Sequence, residues 1–294
     1  MPDTHRPLGT RHRPSVLVTG AAGNLGREAV DRLRARGARV RRLVRRPTGP
    51  HSTAESVVGD LTDPTTFRSA LLGVDAVLLI WPLLDSAPAH DLIAELAAAA
   101  PRVVYTSSTA MDDEAARQSD PIVQVHADME LLLRDAGLRP VVLRSDTLAS
   151  NTRGWAAQLR AGDVIEGPDV ARTAVVDERD VADAAVSVLL APCRDRLAPG
   201  PYVLTGPEVL DRAGQVARLG AALRRPLRFR SLPAGLARSR MLADGRPERL
   251  VEALLAASVH RPESDRTTDH VERLTGRPAG TFERWAADHA AEFG

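Results

Sequence analysis

Short β-branched runs alternate with amphipathic helical segments through the first half of the chain, and this alternation is the strongest constraint on the fold. Six apolar runs have the length and residue types of buried strands: 15–20, 38–45, 55–61, 75–81, 102–108 and 139–145. Helical spacing of apolar residues fills most of the segments between them. Strands joined in this way need right-handed crossovers and form a parallel sheet with helices on both faces. The sequence therefore predicts an α/β fold with a doubly wound parallel sheet.

A glycine-rich loop joins the first predicted strand to the first predicted helix. The sequence VTGAAGNLGREAV places Gly20, Gly23 and Gly26 at three-residue intervals. Glycine is needed where the backbone turns tightly, where it approaches a pyrophosphate, and where helix packs on strand. The helix then offers unpaired N–H groups and the positive end of its dipole to phosphate oxygens. The loop predicts a dinucleotide site of the Rossmann type, with Asn24 and Leu25 as further contacts.

The end of the second strand indicates which dinucleotide is bound. An acidic residue there would hydrogen-bond the adenosine ribose of NAD, but this strand ends in Arg45 and Arg46. Two guanidinium groups suit the 2′-phosphate of NADP because they donate forked, charge-assisted hydrogen bonds. The alternative is that one of the two arginines only faces solvent. We predict NADP(H), with Asp60 and Leu61 after the third strand as further cofactor contacts.

The alternation becomes irregular after about residue 150. A short strand leading into an acid-capped helix is predicted over 173–190, and one more strand over 200–210. The remainder is mostly helical, with Pro and Gly interruptions, and the basic N-terminus has no apolar segment behind it. We expect three parts: a flexible tail over 1–14, a nucleotide-binding domain over 15–150, and a smaller mixed α/β substrate-binding region over 151–294 packed on it.

All 39 basic residues are arginine, so the chain contains no lysine. This excludes a Schiff-base lysine, a P-loop lysine and a catalytic Tyr-x-x-x-Lys pair. A net charge of +1 gives no long-range attraction to nucleic acid or membranes, and no apolar run reaches the roughly 18 residues of a membrane span. The single cysteine, Cys193, fits a reducing compartment, and no metal-binding spacing appears. We expect a cytoplasmic monomer or homodimer without a metal ion.

Several segments together resemble a known family. They are VTGAAGNLG, LVRRP, VVGDLTDPTTFRSALLGVDAVLLI, VVYTSST and GLRPVVLRSDTLASN, followed by VVDERDVADAAVSVL and VERLTGRPAGTFERWAADHAAEF. The chain resembles the NmrA-like atypical short-chain dehydrogenase/reductases over nearly its whole length past residue 14. The resemblance implies a Rossmann fold with NADP(H) at the carboxyl edge of the sheet. The family contains quinone and ketone reductases as well as redox sensors that bind the nucleotide without turnover, so resemblance alone does not decide between them.

The positions that carry catalysis in short-chain reductases are only partly retained. Ser108 in YTSSTA matches the family serine that polarises the substrate carbonyl, with Thr109 beside it as a substrate contact; alternatively, TSST only closes the strand end. His126 and Glu130 stand where the family has tyrosine and lysine, and a spacing of four places both on one helical face. Either His126 donates a proton while Glu130 orients its imidazole, or the two form an ordinary surface pair.

Further residues are assigned by their positions after strands. By the resemblance, Trp81 after the fourth strand forms part of the cofactor wall. Asn151 and Trp155, after the sixth strand, are candidates for the substrate pocket, although core packing is the commoner role of such a tryptophan. Asp177 and Asp180 are predicted to cap a helix and to tie the two parts of the chain together.

These features predict an NADP(H)-dependent oxidoreductase that reduces a carbonyl or quinone of a small apolar or aromatic substrate. Quinones and polyphenols tolerate a missing tyrosine because their reduced oxygens are weakly basic. The arginine- and alanine-rich composition suggests tailoring of an aromatic natural product as one role. Two alternatives stay open: a non-catalytic NADP(H) sensor that reports to a partner protein, and a redox-neutral isomerase or cyclase on the same fold.

Overall fold

A computed structural model describes residues 13–46, 55–99, 101–192 and 201–294 of the chain. Most of the predicted tail over 1–14, and Cys193, lie outside the described residues. The strands are β1 (Ser15–Val18), β2 (Arg39–Val44), β3 (Glu55–Val58), β4 (Ala76–Leu79), β5 (Arg102–Ser108), β6 (Val141–Ser145), β7 (Val164–Gly167), β8 (Tyr202–Leu204) and β9 (Arg228–Ser231).

Seven of these strands form one parallel sheet in the order β3-β2-β1-β4-β5-β6-β8. The order reverses between β1 and β4, which opens a crevice at the carboxyl ends of the strands, where ligands bind in folds of this class. The six strands predicted before residue 150 are all present, so the predicted Rossmann-type fold is confirmed. β7 and β9, which the sequence did not predict, pair separately in a small parallel sheet.

Helices cover both faces of the main sheet. They are α1 (Asn24–Ala35), α2 (Pro64–Leu71), α3 (Ala89–Ala99), α4 (Pro121–Asp135), α5 (Ala156–Ala161), α6 (Glu178–Leu189), α7 (Arg212–Leu223), α8 (Ala234–Ala243), α9 (Glu248–His260), α10 (His270–Thr275) and α11 (Phe282–Asp288). α1, α6 and α10 pack on one face, and α2, α3 and α4 on the other. Within the described segments, no helix is long and apolar enough to cross a membrane.

The strand β1 shows why the predicted strands have continuous apolar sequences without polar alternation. All four of its residues are buried, because side chains that alternate between the two faces meet a helical layer on each side. Val16 and Val18 pack with α1 and α6, whereas Leu17 packs with the layer of α2 and α3. The sheet is thus the common wall of two apolar cores.

The sheet extends past the predicted domain boundary at residue 150. β8 pairs with β6 as the seventh strand, and α6 packs against α1, although both elements lie in the region 151–294. The rest of that region forms two smaller cores, one around Trp285 and Phe282 and one within the α8–α9 hairpin. The predicted boundary at residue 150 therefore does not coincide with the end of the main sheet.

A buried carboxylate at the start of α6 joins the C-terminal region to the main sheet. Glu178 is fully buried and accepts a hydrogen bond from the indole N–H of Trp285 at 3.1 Å and from the Ser150 N–H at 3.2 Å. It also pairs with the Arg153 guanidinium at 3.1 Å. Three donors from two distant segments therefore share one anion, which offsets the cost of burying its charge.

The two neighbouring aspartates have the structural roles that the sequence predicts. Asp177 caps α6 by accepting a hydrogen bond from the Arg179 N–H at 2.8 Å. Asp180 is buried, accepts from the Gly280 N–H at 2.7 Å and pairs with Arg277 at 2.6 Å. α6 is thus held both at its own start and against the last segments of the chain.

We expect Glu178→Ala to lower the free energy of unfolding by about 3 kcal/mol, because it leaves the Trp285 indole and Arg153 without their buried acceptor. Urea unfolding monitored by tryptophan fluorescence measures this change. The matched control is Glu263→Ala, whose pair with Arg172 is largely exposed and should contribute below about 1 kcal/mol. Equal losses in the two variants would contradict the linking role of Glu178.

Candidate active site at the carboxyl edge of the sheet

The loop between β1 and α1 has the backbone geometry that its glycines predict. Gly20 has a φ of +57°, in the left-handed region that favours glycine. A Cβ atom on Gly26 would lie 2.2 Å from the carbonyl oxygen of Gly20, so α1 can pack this closely on the end of β1 only with glycine there. The N–H of Gly23 donates to the same oxygen at 2.9 Å and closes the turn.

The first turn of α1 is open to an anion. Gly23 is the N-cap residue, no side chain caps the helix, and the first turn holds no acidic residue. The amide oxygen of Asn24 is turned to Arg27, whose guanidinium donates to it at 2.9 Å, and Leu25 and Gly26 are buried and can contribute their backbone. Free N–H groups at a helix start, with a close glycine loop, fit the pyrophosphate of a dinucleotide.

The residues expected at the adenosine end lie together where β2 and β3 end. Arg45 and Arg46 are exposed, and neither pairs with a carboxylate of the described residues. Asp60 accepts hydrogen bonds at 2.9 Å from the N–H and the hydroxyl of Thr62. These bonds, and more weakly the charge of Arg45, lower the pKa of Asp60. Leu61 beside it is buried, so an apolar surface and two cations are available to an adenine nucleotide.

The end of β5 directs its two serines to different places. Ser107 donates a hydrogen bond to Glu130 of α4 at 2.5 Å. Ser108, the next residue along the strand, lines a cavity of about 490 Å³ together with Thr109 and His126, and Ser107 also borders this cavity. This separation follows from the two-residue repeat of a strand. Ser108 is therefore the serine whose hydroxyl is not bonded to Glu130, and its contact with a substrate stays a prediction.

The hydroxyl proton of Ser108 has no acceptor among the described residues. Its oxygen accepts from the Ala110 N–H at 3.2 Å, which leaves the O–H free to donate into the cavity. The hydroxyl of Thr109, by contrast, is bonded to the carboxyl group of Asp146. A ligand oxygen in this cavity would thus find a hydrogen-bond donor at Ser108.

His126 faces the same cavity but is bound to a tyrosine from the sheet. Its Nδ1 lies 2.7 Å from the hydroxyl oxygen of the fully buried Tyr105. Burial lowers the pKa of His126 to about 4, although the charge of Glu130 acts in the opposite direction. The imidazole is therefore neutral near pH 7. Burial also raises the pKa of Tyr105, with the charge of Glu130 adding to the effect.

Glu130 forms neither of the two contacts considered from the sequence, because its hydrogen bonds go to other residues. Glu130 accepts from Nε and Nη2 of Arg144 at 3.0 and 2.8 Å, in addition to the hydroxyl of Ser107. Arg144 is buried in β6 and also forks onto Asp113 at 2.8 and 2.6 Å. Glu130 thus neutralises a buried guanidinium and joins α4 to β6, while Tyr105 takes the contact with the imidazole.

Asp146 is a site residue that the sequence reasoning missed. It follows β6, is 8% exposed, and lines the cavity beside Ser108. Its carboxyl group accepts from the Thr147 N–H at 2.6 Å and from the hydroxyls of Thr109 and Thr173. Burial raises its pKa above the ordinary value, and these hydrogen bonds oppose the shift. The sequence could have indicated this residue, because Asp146 directly follows β6, the neighbour of β5 in the sheet.

The substrate residues proposed from sequence line a second, larger cavity of about 940 Å³. Asn151 is exposed and borders both cavities, and Trp155 is 9% exposed in the wall of the larger one. Trp81 lies in the apolar core with its indole N–H bonded to the carbonyl oxygen of Asp85 at 3.1 Å. In the described part of the chain, no group of three or more His, Cys, Asp or Glu side chains is placed to hold a metal ion.

Comparison with known proteins agrees with the glycine-loop geometry. Residues 20–192 match the model of a family described as NAD(P)H-binding. The chain belongs to this NAD(P)H-binding family. The matched segment begins at Gly20 of the loop and ends just after α6. Solved structures of NAD(P)H-dependent reductases share the fold of this chain.

Two reductases of known name are similar over nearly their whole length. A (4-alkanoyl-5-oxo-2,5-dihydrofuran-3-yl)methyl phosphate reductase of Streptomyces griseus is 36% identical over 286 residues, which are 95% of this chain and 99% of that protein. The NAD(P)H azoreductase of Xenophilus azovorans is 28% identical over 290 residues, covering 95% of this chain and 99% of its own length.

Among solved structures, the NADPH-dependent quinone oxidoreductase of Escherichia coli has a TM-score of 0.74 at 22% identity and covers 95% of this chain and 100% of its own. The triphenylmethane reductase of Citrobacter in complex with NADP(H) has a TM-score of 0.74 at 20% identity, with coverage of 94% and 99%. Identities this low show the fold alone.

The low pKa of His126 makes a test of its environment possible. The unfolded chain takes up a proton on this residue as the pH falls through its ordinary value of 6.5, whereas the folded protein does so only near pH 4. Folding is therefore weakened progressively between these values. We expect the free energy of unfolding of His126→Gln to fall less steeply than that of the wild type between pH 7 and pH 5.

Urea unfolding at several pH values measures these slopes. The control is His260→Gln, since His260 is exposed at the end of α9 and its replacement should reproduce the wild-type slope. A His126→Gln curve parallel to that of the wild type would show that the imidazole is not held neutral.

Proposed function

We propose that this protein is an NADPH-dependent reductase of a small carbonyl or quinone acceptor with an extended conjugated system. The free hydroxyl proton of Ser108, directed into a cavity at the carboxyl edge of the sheet, is the observation that carries this proposal. The open phosphate-binding turn of α1 lies at the same edge. One cofactor site and one hydrogen-bond donor for a substrate oxygen therefore open on a common crevice.

The residues of the cavity would position the acceptor and stabilise negative charge on it. When bound, NADPH supplies a hydride. Ser108 would donate a hydrogen bond to the acceptor oxygen, whose charge grows as the bond order of the carbonyl falls. Tyr105 can donate to Nδ1 of His126 and so leave the Nε2–H as a second donor. Neither group is a strong acid, because Ser108 is a hydroxyl and His126 is neutral near pH 7.

The absence of a strong acid favours acceptors that do not need one. Hydride addition to an isolated ketone leaves a strongly basic alkoxide, whereas a quinone or an alkene conjugated with two carbonyl groups leaves a delocalised, weakly basic anion. The dihydrofuran named for the Streptomyces griseus relative carries both an alkanoyl and a ring oxo group, and the Xenophilus azovorans relative is named for azo reduction. These names support a conjugated acceptor.

The cofactor would be NADPH in preference to NADH. Arg45 and Arg46 provide two exposed guanidinium groups at the end of β2, close to Asp60. A 2′-phosphate would accept forked hydrogen bonds from them. Asn151 and Trp155 would line the far side of the substrate pocket, in the region 151–294 that we propose as the substrate-binding part of the molecule.

Replacement of Ser108 tests the catalytic proposal. With a saturating quinone or conjugated diketone, we expect Ser108→Ala to lower kcat roughly 100-fold, the order of loss when one donor to a developing oxyanion is removed. NADPH oxidation followed by the absorbance of the reduced nicotinamide is the measurement. Ser107→Ala is the comparison variant at the neighbouring serine, whose hydroxyl is already donated to Glu130, and should change kcat less.

Unchanged kcat in Ser108→Ala would remove this residue from the mechanism. Tight NADPH binding with no oxidation by any member of a broad panel of quinones, azo compounds and conjugated ketones would contradict the enzyme proposal and support a nucleotide sensor.

Replacement of Arg45 tests the cofactor preference. We expect Arg45→Ala to weaken NADPH binding by about tenfold or more and to leave NADH binding nearly unchanged, because only NADPH has a 2′-phosphate to lose its partner. Calorimetric titration of both nucleotides gives the two constants. Arg39→Ala, at the opposite end of β2, is the control that should affect neither. Equal weakening of both nucleotides by Arg45→Ala would argue against the 2′-phosphate contact.

A further inference from the structure

The larger cavity adjoins the cavity that contains Ser108. The two share five wall residues: Ile122, Thr147, Asn151, Thr173 and Arg261. The larger cavity is built mainly from the C-terminal region, with walls from α5, β7, the start of α7 and the α8–α9 hairpin. A molecule whose reducible end lies at Ser108 could therefore extend into it.

The wall of the larger cavity carries more positive than negative charge. Three carboxylates line it, Asp163, Glu166 and Asp244, together with five arginines, Arg212, Arg230, Arg240, Arg246 and Arg261. Most of these charges are paired: Glu166 contacts both Arg230 and Arg240, Asp163 pairs with Arg225, and Arg261 pairs with Asp120. Asp244 is exposed after α8. Arg212 and Arg246 are the two wall arginines left without a carboxylate partner among the described residues.

Arg212, the first residue of α7, is a cation held without an anion. Its guanidinium carbon lies 5.4 Å from the ring centroid of Trp155, and its hydrogen bond to Gln215 is long, at 3.5 Å. No carboxylate of the described residues forms an ion pair with it. Burial, followed by the positive charge of Arg261, lowers the pKa of Arg212 to about 10; the charge of Asp169 opposes this shift, and that of Arg246 adds to it. The guanidinium remains charged at neutral pH, in a place where an anion would be stabilised strongly.

Arg246 approaches the same part of the cavity from another element. It lies in the turn between α8 and α9, directly after Gly245, whose φ of +78° lets the chain reverse there. Its Nη2 is next to Gly154, at 3.5 Å from the position a Cβ would take. Its side chain forms no ion pair or hydrogen bond with any residue in the described segments. Two guanidinium groups without an ion pair to a carboxylate of the described residues therefore face one space.

We propose that Arg212 and Arg246 bind a phosphate monoester group carried by the substrate, whose reducible end lies at Ser108. This inference rests on the proposed reductase function and adds the class of substrate. A phosphate monoester carries up to two negative charges and presents three acceptor oxygens, which suits two forked donors. Trp155 would hold the Arg212 guanidinium in place from the other side through its ring face.

Matched acceptors test this site. A naphthoquinone with a hydroxymethyl group and the phosphate monoester of the same compound differ only in the proposed anchor. We expect the wild type to show a KM about 10- to 100-fold lower for the ester, the range given by one or two charge-assisted hydrogen bonds. Arg212→Gln and Arg246→Gln should each raise the KM for the ester about tenfold and leave the KM for the alcohol unchanged.

Two further variants test whether the effect is specific to the forked guanidinium of Arg212. Arg212→Lys keeps the charge and loses the fork, so its KM for the ester should lie between those of the wild type and Arg212→Gln. Arg68→Gln is the control: it removes an exposed arginine of α2 that pairs with Glu95. It should change the KM of neither compound. Because Arg246 lies on a turn, its replacement tests the site even if Arg212→Gln does not fold.

Binding of phenyl phosphate, which cannot be reduced, separates the two proposals. We expect calorimetry to show binding to the wild type that is lost in Arg212→Gln and Arg246→Gln. That result with no quinone reduction would leave the anion site in place and overturn the reductase function. Equal KM values for ester and alcohol, with no binding of phenyl phosphate, would overturn the anion site and leave the reductase function in place.

Discussion

The close approach of α1 to the end of β1 is the contact on which the rest of the structure depends. The backbone of Gly26 packs against the carbonyl oxygen of Gly20 with no room for a side chain. This contact fixes where α1 begins and directs its free N–H groups to the point at which the strand order reverses. The ends of β4, β5 and β6 then open on the same crevice, so one backbone contact sets the frame for both cofactor and substrate.

The chemistry available at this edge is limited because its buried polar groups are already hydrogen-bonded or ion-paired with each other. Tyr105 and His126 bind each other, and Glu130 balances Arg144. Each of these contacts meets the requirement that buried polar groups be paired, and each takes a group away from proton transfer. In a chain without lysine, the proposed reaction would rely on hydrogen bonds to stabilise charge. Acceptors whose reduced forms are weak bases suit such a site.

The main sheet was predictable because each of its strands is read from a local pattern. Buried parallel strands are short apolar runs, and the glycine loop has its own spacing, so six strands and the first helix follow from neighbouring residues. The acid cap at Asp177 was predictable for the same reason. β7 and β9 escaped detection because VIEG and RFRS carry mostly partly buried or exposed residues, without the alternation of a strand.

The contacts of the candidate site depend on distant residues and could not be read from spacing. His126 and Glu130 share a helical face, but their partners Tyr105 and Arg144 come from two neighbouring strands. Asp146 gains its burial from the packing of Thr109 and Thr173, which the sequence does not bring together. Because the chain has 39 arginines, the sequence gives no reason to single out Arg212 and Arg246. Only the folded structure shows which guanidinium groups lack a carboxylate.

The α8–α9 hairpin has a consequence for how such proteins diverge. It closes one side of the larger cavity, yet it adds no strand to the main sheet and no residue to the glycine loop. Its small core of Leu232, Ala237, Met241 and Val251 is self-contained. Mutations in this hairpin would therefore reshape the larger cavity while leaving the main sheet and the glycine loop as they are, so acceptor selectivity could change independently of the nucleotide site.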